Sequence, residues 1–202
     1  MESQDKIWDK EYSDNQIKWH RETELPPLLR NMRVLELGVG NGKTLKGILK
    51  QNPASVTAVD FSEKAIEICE KEFPSVKFIK ADTTKIPLGD KFDVIVCYYL
   101  LNNMLEKKRK ETVAEILRLL EKKGIVLFED FAKEDLRWNV GKKLETGSFV
   151  NQKGILMHFF TKNEISRLFS DFSKVEVEER EFSPIKMDET KKRRIVSGII
   201  VK

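Results

Sequence analysis

Short apolar runs alternate with helical patterns along the first two thirds of the chain. Five runs rich in β-branched and aromatic residues predict strands at 34–37, 55–59, 76–79, 92–97 and 125–128. Apolar residues at three- and four-residue spacing predict helices over 44–51, 62–73 and 106–121, with Ser62 as an N-cap. Strands that alternate with helices in this way predict a parallel sheet with helices on both faces.

The pattern changes after residue 160. A helix over 162–170 begins at a capping box formed by Thr161 and Glu164. Strands near 174–182 and 194–201 follow without a helix between them. We therefore expect these two strands to pair as a hairpin.

Two segments, 130–160 and 183–193, show no clear period. Long loops within a domain often bind ligands, and this is one interpretation of the first segment. A solvated connection with one extra strand is the alternative.

A glycine-rich turn directly follows the first predicted strand, where residues 36–42 are Glu-Leu-Gly-Val-Gly-Asn-Gly. Glycines let the backbone turn sharply and let a ligand approach the main chain. Asp60 ends the second strand, 18 residues beyond Gly42. A carboxylate there can accept hydrogen bonds from both hydroxyls of a ribose. The pattern therefore predicts a nucleoside site, without deciding between adenosylmethionine and a dinucleotide.

Two other phosphate-binding motifs differ from this turn by one residue. A dinucleotide fingerprint would place its third glycine where this chain has Lys43. A Walker A loop needs four residues between Gly38 and the Gly42-Lys43-Thr44 triplet, and only three are present. Both motifs are disfavoured.

The run from Glu36 to Gly42 resembles the first motif of the class I S-adenosylmethionine-dependent methyltransferases, an acid followed by G-x-G-x-G. The likeness extends over roughly residues 30–130, with Asp60 at the family's ribose-binding acid and Asp82 at the position that contacts adenine. The resemblance implies a three-layer, Rossmann-like α/β fold with a seven-stranded, mostly parallel sheet whose last strand is antiparallel. It also implies S-adenosylmethionine as methyl donor and S-adenosylhomocysteine as product.

The resemblance assigns roles to particular residues. The glycines would hold the methionine part of the cofactor, Glu36 would orient the loop, Asp60 would hold the ribose, and Phe61 and Thr83 would flank the adenine. Cys97 ends the fourth strand and is expected to be buried, next to the cofactor. The complete set of expected cofactor positions is Glu36, Gly38, Gly40, Gly42, Asp60, Phe61, Asp82, Thr83 and Cys97.

Methyl transfer from a sulfonium needs alignment and exclusion of water more than a dedicated nucleophile. Aromatic faces can hold the sulfonium by cation–π attraction. Candidates for lining the pocket are Trp8, Tyr12, Trp19, Tyr98 and Tyr99. The sequence does not identify a catalytic base; His158, Tyr98 and Asp130 are candidates, and His20 and Glu129 are further ones. No metal site is expected from two cysteines and two histidines.

The charge of the chain does not identify the methyl acceptor. The chain has 37 basic and 33 acidic residues, intermixed, for a net charge of +4. Basic runs at 107–110 and 191–194 are expected to be solvated faces or edge-strand protection, unless both flank the cofactor cleft. The sequence after the fourth strand lacks the N/D-P-P-Y/F tetrapeptide of amino-methyltransferases and a Pro-Cys pair.

Four functions remain open. A small-molecule acceptor is favoured, because no RNA-binding module is appended. RNA (tRNA) or protein methylation is the alternative, and a nucleoside-binding regulatory module is the non-enzymatic one. A nicotinamide-dependent dehydrogenase is disfavoured by Lys43 and by the terminal strand pair. The oligomeric state is left open.

The expected organisation is one domain over 1–202. It comprises an N-terminal helical cover at 1–31, a cofactor-binding half at 32–130 and a substrate-side half at 131–202. No apolar run reaches the 18 or so residues of a membrane span, and both cysteines suit a reducing compartment. A cytoplasmic location is therefore expected.

Overall fold

A computed structural model describes residues 3–14, 23–183 and 192–202. Five α-helices lie in these residues: α1 Gln4–Asp14, α2 Lys43–Leu49, α3 Glu63–Glu72, α4 Glu106–Leu119 and α5 Lys162–Leu168. Ten strands accompany them: β1 Arg33–Leu37, β2 Ser55–Asp60, β3 Lys77–Lys80, β4 Phe92–Tyr98, β5 Leu120–Phe131, β6 Lys142–Glu145, β7 Ser148–Val150, β8 Leu156–His158, β9 Lys174–Phe182 and β10 Arg193–Val201.

Seven strands form the central sheet, in the order β3-β2-β1-β4-β5-β10-β9. The first five strands pair in parallel, and β10 is antiparallel to both of its neighbours. Leu37 at the end of β1 pairs with Val59 and with Cys97, so the carboxyl ends of β1, β2 and β4 meet at one edge. The predicted seven-stranded sheet with its reversed last strand is confirmed.

Helices cover both faces of this sheet and enclose two apolar cores. The core beneath α2 and α3 includes Leu45, Ile48, Ile66 and Cys69. The core beneath α4 and α5 includes Val113, Ile116, Ile165 and Phe169. Parallel strands covered on both faces are buried throughout, which is why their sequences are nearly continuous apolar runs. The predicted three layers are confirmed.

The junction between α4 and β5 differs from the prediction. The helix ends at Leu119 instead of 121, and β5 begins at Leu120 instead of 125. Leu120 continues the apolar spacing of the helix, but it is buried as a strand residue opposite Phe92. The chain is irregular just after it, where Lys123 has a φ of 64°.

Segment 130–160, predicted to lack regular structure beyond one possible strand, contains a separate three-stranded antiparallel sheet, β6-β7-β8. Its strands are three or four residues long, too short to establish a period of two. This small sheet covers a third apolar cluster that includes Phe131, Phe149 and Phe159.

The N-terminal region is helical only in part. Helix α1 ends at Asp14, and residues 23–32 contain no helix. Residues 15–22, with Trp19 and His20, lie outside the described residues, as do 184–191. In the described ranges, no helix has the length and apolarity required to cross a membrane.

Candidate functional site

The glycine loop joins β1 to α2 at the carboxyl edge of the sheet. Gly38 N–H donates to Val59 O over 2.8 Å, which fixes the loop against the end of β2. Gly42 has a φ of 77°, and a Cβ there would lie 2.5 Å from Phe73 Cε2. A side chain at this position would be strained and would clash, so glycine is required.

Asp60 lies directly beneath this loop and is buried. Its Oδ2 accepts a hydrogen bond from Gly40 N–H and its Oδ1 accepts one from Ser62 N–H, both at 2.9 Å. Burial raises the pKa of Asp60, and these backbone donors oppose that effect. A carboxylate has about four lone-pair sites, so two remain for other donors such as ribose hydroxyls.

Glu36 is the second buried carboxylate at the loop. It is 2% exposed, and its Oε2 has no hydrogen-bond partner within the described part of the chain. Burial, with the nearby Asp60, raises its pKa well above the usual range. A buried acceptor without a partner costs about 1–3 kcal/mol, which points to a donor that a ligand supplies. An ammonium group, such as that of the methionine part of S-adenosylmethionine, fits this position.

Helix α1 covers the same loop. A Cβ on Gly40 would lie 2.9 Å from Tyr12 Oη, so the phenol packs against the glycine. Asp9 Oδ1 accepts a hydrogen bond from Ser62 Oγ at 2.5 Å. Ser62 is two residues beyond Asp60. Trp8 stacks on Tyr12 with 5.7 Å between ring centroids. Of the predicted pocket aromatics, Tyr12 therefore lies beside the glycine loop, and Trp8 is stacked on Tyr12.

The opposite side of α1 holds the small sheet. Gln4 Nε2 donates to Gly154 O at 3.1 Å, and Lys153 Nζ lies 2.8 Å from Glu11 Oε1. Trp8 also packs against the apolar cluster under that sheet. The helix thus connects the cofactor loop with the segment beyond β5.

The predicted adenine contacts have other partners. Asp82 is exposed, and its Oδ2 lies 2.9 Å from Lys108 Nζ. Thr83 is buried, with its hydroxyl 3.2 Å from Thr112 Oγ1 on α4. Phe61 follows Asp60 and is half-buried. The roles of these three residues at the adenine stay predictions. The hydroxyl of Thr83 already has Thr112 as a partner.

Cys97 is fully buried in the core beneath α4 and α5. Burial, with Asp130 nearby, raises the pKa of its thiol. Its predicted burial is confirmed, and its place next to the cofactor stays a prediction. Cys69 is also buried, and both thiols are free, as the sequence predicted.

The burial of the thiols has a measurable consequence. At pH 7.5 we expect both cysteines of the native protein to react with iodoacetamide about 100-fold more slowly than in urea, since only an accessible thiolate reacts. Mass spectrometry of the alkylated protein measures this rate. Rapid modification of one cysteine in the folded state would contradict the described burial.

Asp130, one of the three candidate bases, is fully buried at the end of β5. Its carboxylate accepts from Asn102 N–H at 3.0 Å and Phe131 N–H at 2.9 Å. Burial raises its pKa to about 8, so most molecules are uncharged at pH 7.

His158, the second candidate base, is 1% exposed. Its Nδ1 lies 2.8 Å from Ser148 Oγ. Its Nε2 lies 2.8 Å from Glu164 Oε1, although this contact does not satisfy the angle of a hydrogen bond. The imidazole is thus enclosed between the small sheet and α5, which argues against its role as an accessible base.

Tyr98 ends β4 and Tyr99 follows it, and the two side chains point in different directions. Tyr98 lines a groove with Leu25 and Val177 on the face of α2 and α3. Tyr99 has a φ of 52°, and its hydroxyl donates to Glu129 Oε1 at 2.6 Å. Tyr99, rather than Tyr98, therefore belongs to the aromatic cluster under the small sheet.

The first basic run is not a uniformly solvated face. Arg109 is 3% exposed, and its Nη2 lies 2.9 Å from Glu145 Oε1 and 3.6 Å from Glu164 Oε1. Its Nη1 donates to Met104 O at 2.6 Å. The residue sits at the first turns of α4 where the small sheet and α5 meet, so it is buried with acidic partners. Glu164 faces this arginine and His158, while Thr161 Oγ1 makes the predicted cap with Glu164 N–H.

Sequence analysis missed Arg137 and its partner Asp135. Asp135 is fully buried, and its two oxygens lie 3.0 Å from Arg137 Nε and 2.8 Å from Arg193 Nε. Arg137 lies over the ring of Phe131, at 3.7 Å from the centroid. The local sequence indicates this pair only through two opposite charges, two residues apart, in a segment without a clear period.

Known proteins resemble this chain in sequence. A family model described as a methyltransferase domain matches residues 34–124. The tRNA N(3)-cytidine methyltransferase of Danio rerio is 31% identical over 162 residues, which cover 73% of this chain and 46% of that protein. The tRNA N(3)-methylcytidine methyltransferase of Schizosaccharomyces pombe is 26% identical, over 87% of this chain and 66% of its own length. The chain spans about half the length of the animal relatives it matches.

Solved structures share the fold. A S-adenosylmethionine-dependent methyltransferase from Methanosarcina mazei has a TM-score of 0.74 at 21% identity, covering 89% of this chain and 99% of that one. The 1,6-didemethyltoxoflavin-N1-methyltransferase of Burkholderia thailandensis has a TM-score of 0.71 at 19% identity, covering 98% of this chain and 88% of that one. At such identities the likeness concerns the fold.

Proposed function

This chain belongs to the class I S-adenosylmethionine-dependent methyltransferases, and we propose that it methylates N3 of a cytidine in tRNA. S-adenosylmethionine is the methyl donor of the family. The observation that carries the proposed acceptor is the 31% identity over 162 residues with a tRNA N(3)-cytidine methyltransferase. A small-molecule acceptor, favoured from the sequence, has no such support, and neither has a protein acceptor.

The donor site rests on four groups of this chain. The glycine loop gives the methionine part access to the main chain. The Glu36 carboxylate suits its ammonium, because Oε2 has no hydrogen-bond partner among the described residues. Asp60 has lone pairs left for the ribose hydroxyls. The phenol of Tyr12 packs against the loop at Gly40. These roles extend the sequence prediction with observed burial and hydrogen bonds.

Methylation of cytosine N3 does not require a catalytic base, which is consistent with the positions of the candidate bases. N3 of cytosine carries an in-plane lone pair and needs no proton removed before it reacts. S-adenosylmethionine, when bound, supplies a methyl carbon whose C–S bonding electrons return to sulfur as the N3–C bond forms. His158 is enclosed and Asp130 is buried, while Tyr98 lines the same groove as Glu129. None of these three has to act as a base for such an acceptor.

The reaction transfers a positive charge from sulfur to the pyrimidine ring. The Glu129 carboxylate lies at the end of β5, held by Tyr99 Oη at 2.6 Å and by Arg180 Nη2 at 2.9 Å. Fixed negative charge near a ring that becomes cationic lowers the barrier. Glu129 and Tyr99 are therefore proposed to face the acceptor.

The proposal is tested by incubating the protein with unmodified tRNA transcripts and S-adenosylmethionine bearing a deuterated methyl group. Digestion to nucleosides and chromatography with mass spectrometry separates 3-methylcytidine, a cation, from its isomers. We expect labelled 3-methylcytidine with wild type and none with Asp60→Ala. Label in another nucleoside would reassign the acceptor atom. No label in RNA, from protein that binds S-adenosylhomocysteine, would contradict an RNA acceptor.

A further inference from the structure

Two guanidinium groups share the ring of Phe131, the last residue of β5. The Arg137 guanidinium carbon lies 3.7 Å from the ring centroid, and that of Arg193 lies 5.1 Å from it. Tyr99 packs on the same ring at 5.0 Å between centroids. Two cations held on one aromatic ring repel each other, so their position needs a compensating charge.

Among residues 3–14, 23–183 and 192–202, only part of that charge is supplied. Asp135 neutralises one unit: its two oxygens meet Arg137 Nε and Arg193 Nε. Arg194, the next residue of β10, has its own partner in Glu134 at 2.8 Å. In the described part of the chain, these two guanidinium groups form ion pairs with one carboxylate, so about one positive charge at Phe131 has no ion-pair partner there, and a monoanion would balance it.

Arg137 also has an unused donor. Its Nη2 is buried and makes no hydrogen bond within the described residues. Burial, followed by the charge of Arg193, lowers its pKa, so both effects disfavour the charged form in the absence of an anion. The side chains of Arg137 and Arg193 remain 29% and 26% exposed, so a ligand oxygen can approach the exposed part of each side chain, although not Nη2 of Arg137 as it is placed here.

The pair lies at the edge of the sheet that carries the donor site. Phe131 ends β5, and β5 is two strands from β1, whose end carries the glycine loop. Neighbouring strands are about 4.8 Å apart, so β5 lies about 10 Å from β1 across the sheet. Phe131 is also three residues beyond Phe128, which is level with Leu37, so the ends of the two strands are about 14 Å apart. One nucleotide, with its base toward the donor and its phosphate toward the arginines, can bridge such a distance.

We propose that Arg137 and Arg193 bind a phosphodiester of the RNA at or next to the nucleotide that is methylated. A phosphodiester carries one negative charge and two oxygens that accept hydrogen bonds from guanidinium groups. This inference rests on the proposed RNA acceptor. Phe131 and Asp135 are positioning residues, which hold the two guanidinium groups at this edge.

The test measures the binding of a labelled RNA hairpin that contains the methylated cytidine of a tRNA, in the presence of S-adenosylhomocysteine and as a function of salt. Arg137→Met is expected to weaken binding about 10- to 100-fold and to reduce the slope of log K against log salt by about 1. Arg167→Met removes the same charge from the exposed face of α5 and is expected to change the affinity less than about 2-fold. Unchanged S-adenosylhomocysteine affinity verifies that both variants are folded.

A second measurement uses the wild-type protein, so that it does not depend on the folding of a variant. Phosphates of the hairpin are replaced one at a time by uncharged methylphosphonates. One position, at or next to the methylated cytidine, is expected to weaken binding about 10-fold or more, and in Arg137→Met the same replacement should have little further effect. A uniform scan, or a folded Arg137→Met variant with unchanged affinity and salt slope, would overturn the inference alone. Wild-type protein that binds no RNA would overturn the proposed function itself.

Discussion

Replacing Asp60 with alanine is expected to lower the affinity for S-adenosylhomocysteine at least 100-fold. Two ribose hydroxyls donating to a carboxylate contribute about 1.5–3 kcal/mol each, and both contributions disappear with the side chain. The substitution also leaves Gly40 N–H and Ser62 N–H without their acceptor, so the glycine loop loses its support. Calorimetric titration measures the affinity.

Two further variants separate these effects. Asp60→Asn keeps one acceptor oxygen and should retain part of the affinity. Asp93→Ala removes an aspartate from the amino-terminal edge of β4, where it pairs with Arg33, and should leave the affinity unchanged. An Asp60→Ala protein that is folded and binds as tightly as wild type would exclude Asp60 from the donor site.

Replacing Arg109 with methionine is expected to lower the free energy of unfolding by about 3 kcal/mol or more. The guanidinium is 3% exposed and contacts Glu145, Glu164 and the carbonyl of Met104. Removal of one partner from a buried ion pair leaves the other charge and the carbonyl without compensation. The midpoint and slope of urea unfolding measure the loss.

Lys110→Met provides the matched control, because it removes the same charge from the next residue. Its partner is Glu106, and both side chains are more than 60% exposed. Surface pairs of this kind contribute little, so the urea midpoint should be nearly unchanged. Equal effects of the two substitutions would mean that the network around Arg109 does not hold the small sheet to α4.

The features predicted from the sequence are those with local causes. The central strands β1, β2 and β4 are buried on both faces and therefore largely apolar. The glycine loop needs residues without a Cβ at fixed spacing. Ser62 caps α3 through its own hydroxyl, which accepts from Ala65 N–H at 3.1 Å. Each of these constraints lies within a few residues and is visible without the fold.

The features that were missed depend on contacts between distant residues. Arg137 acquires its role from Phe131 and from Arg193, which is 56 residues further along the chain. The contact of the Thr83 hydroxyl with Thr112 on α4, 29 residues away, was likewise not visible in the sequence. Arg109 was part of a basic run, and only the packing of α4 against the small sheet explains its burial.

The most direct test of the donor site is a crystal structure of the protein with S-adenosylhomocysteine bound. We expect the ribose hydroxyls within hydrogen-bond distance of the Asp60 carboxylate, the ammonium near Glu36 and the methionine part along the loop from Gly38 to Gly42. An adenosyl group bound elsewhere, with Asp60 and Glu36 free of it, would contradict this account of the site.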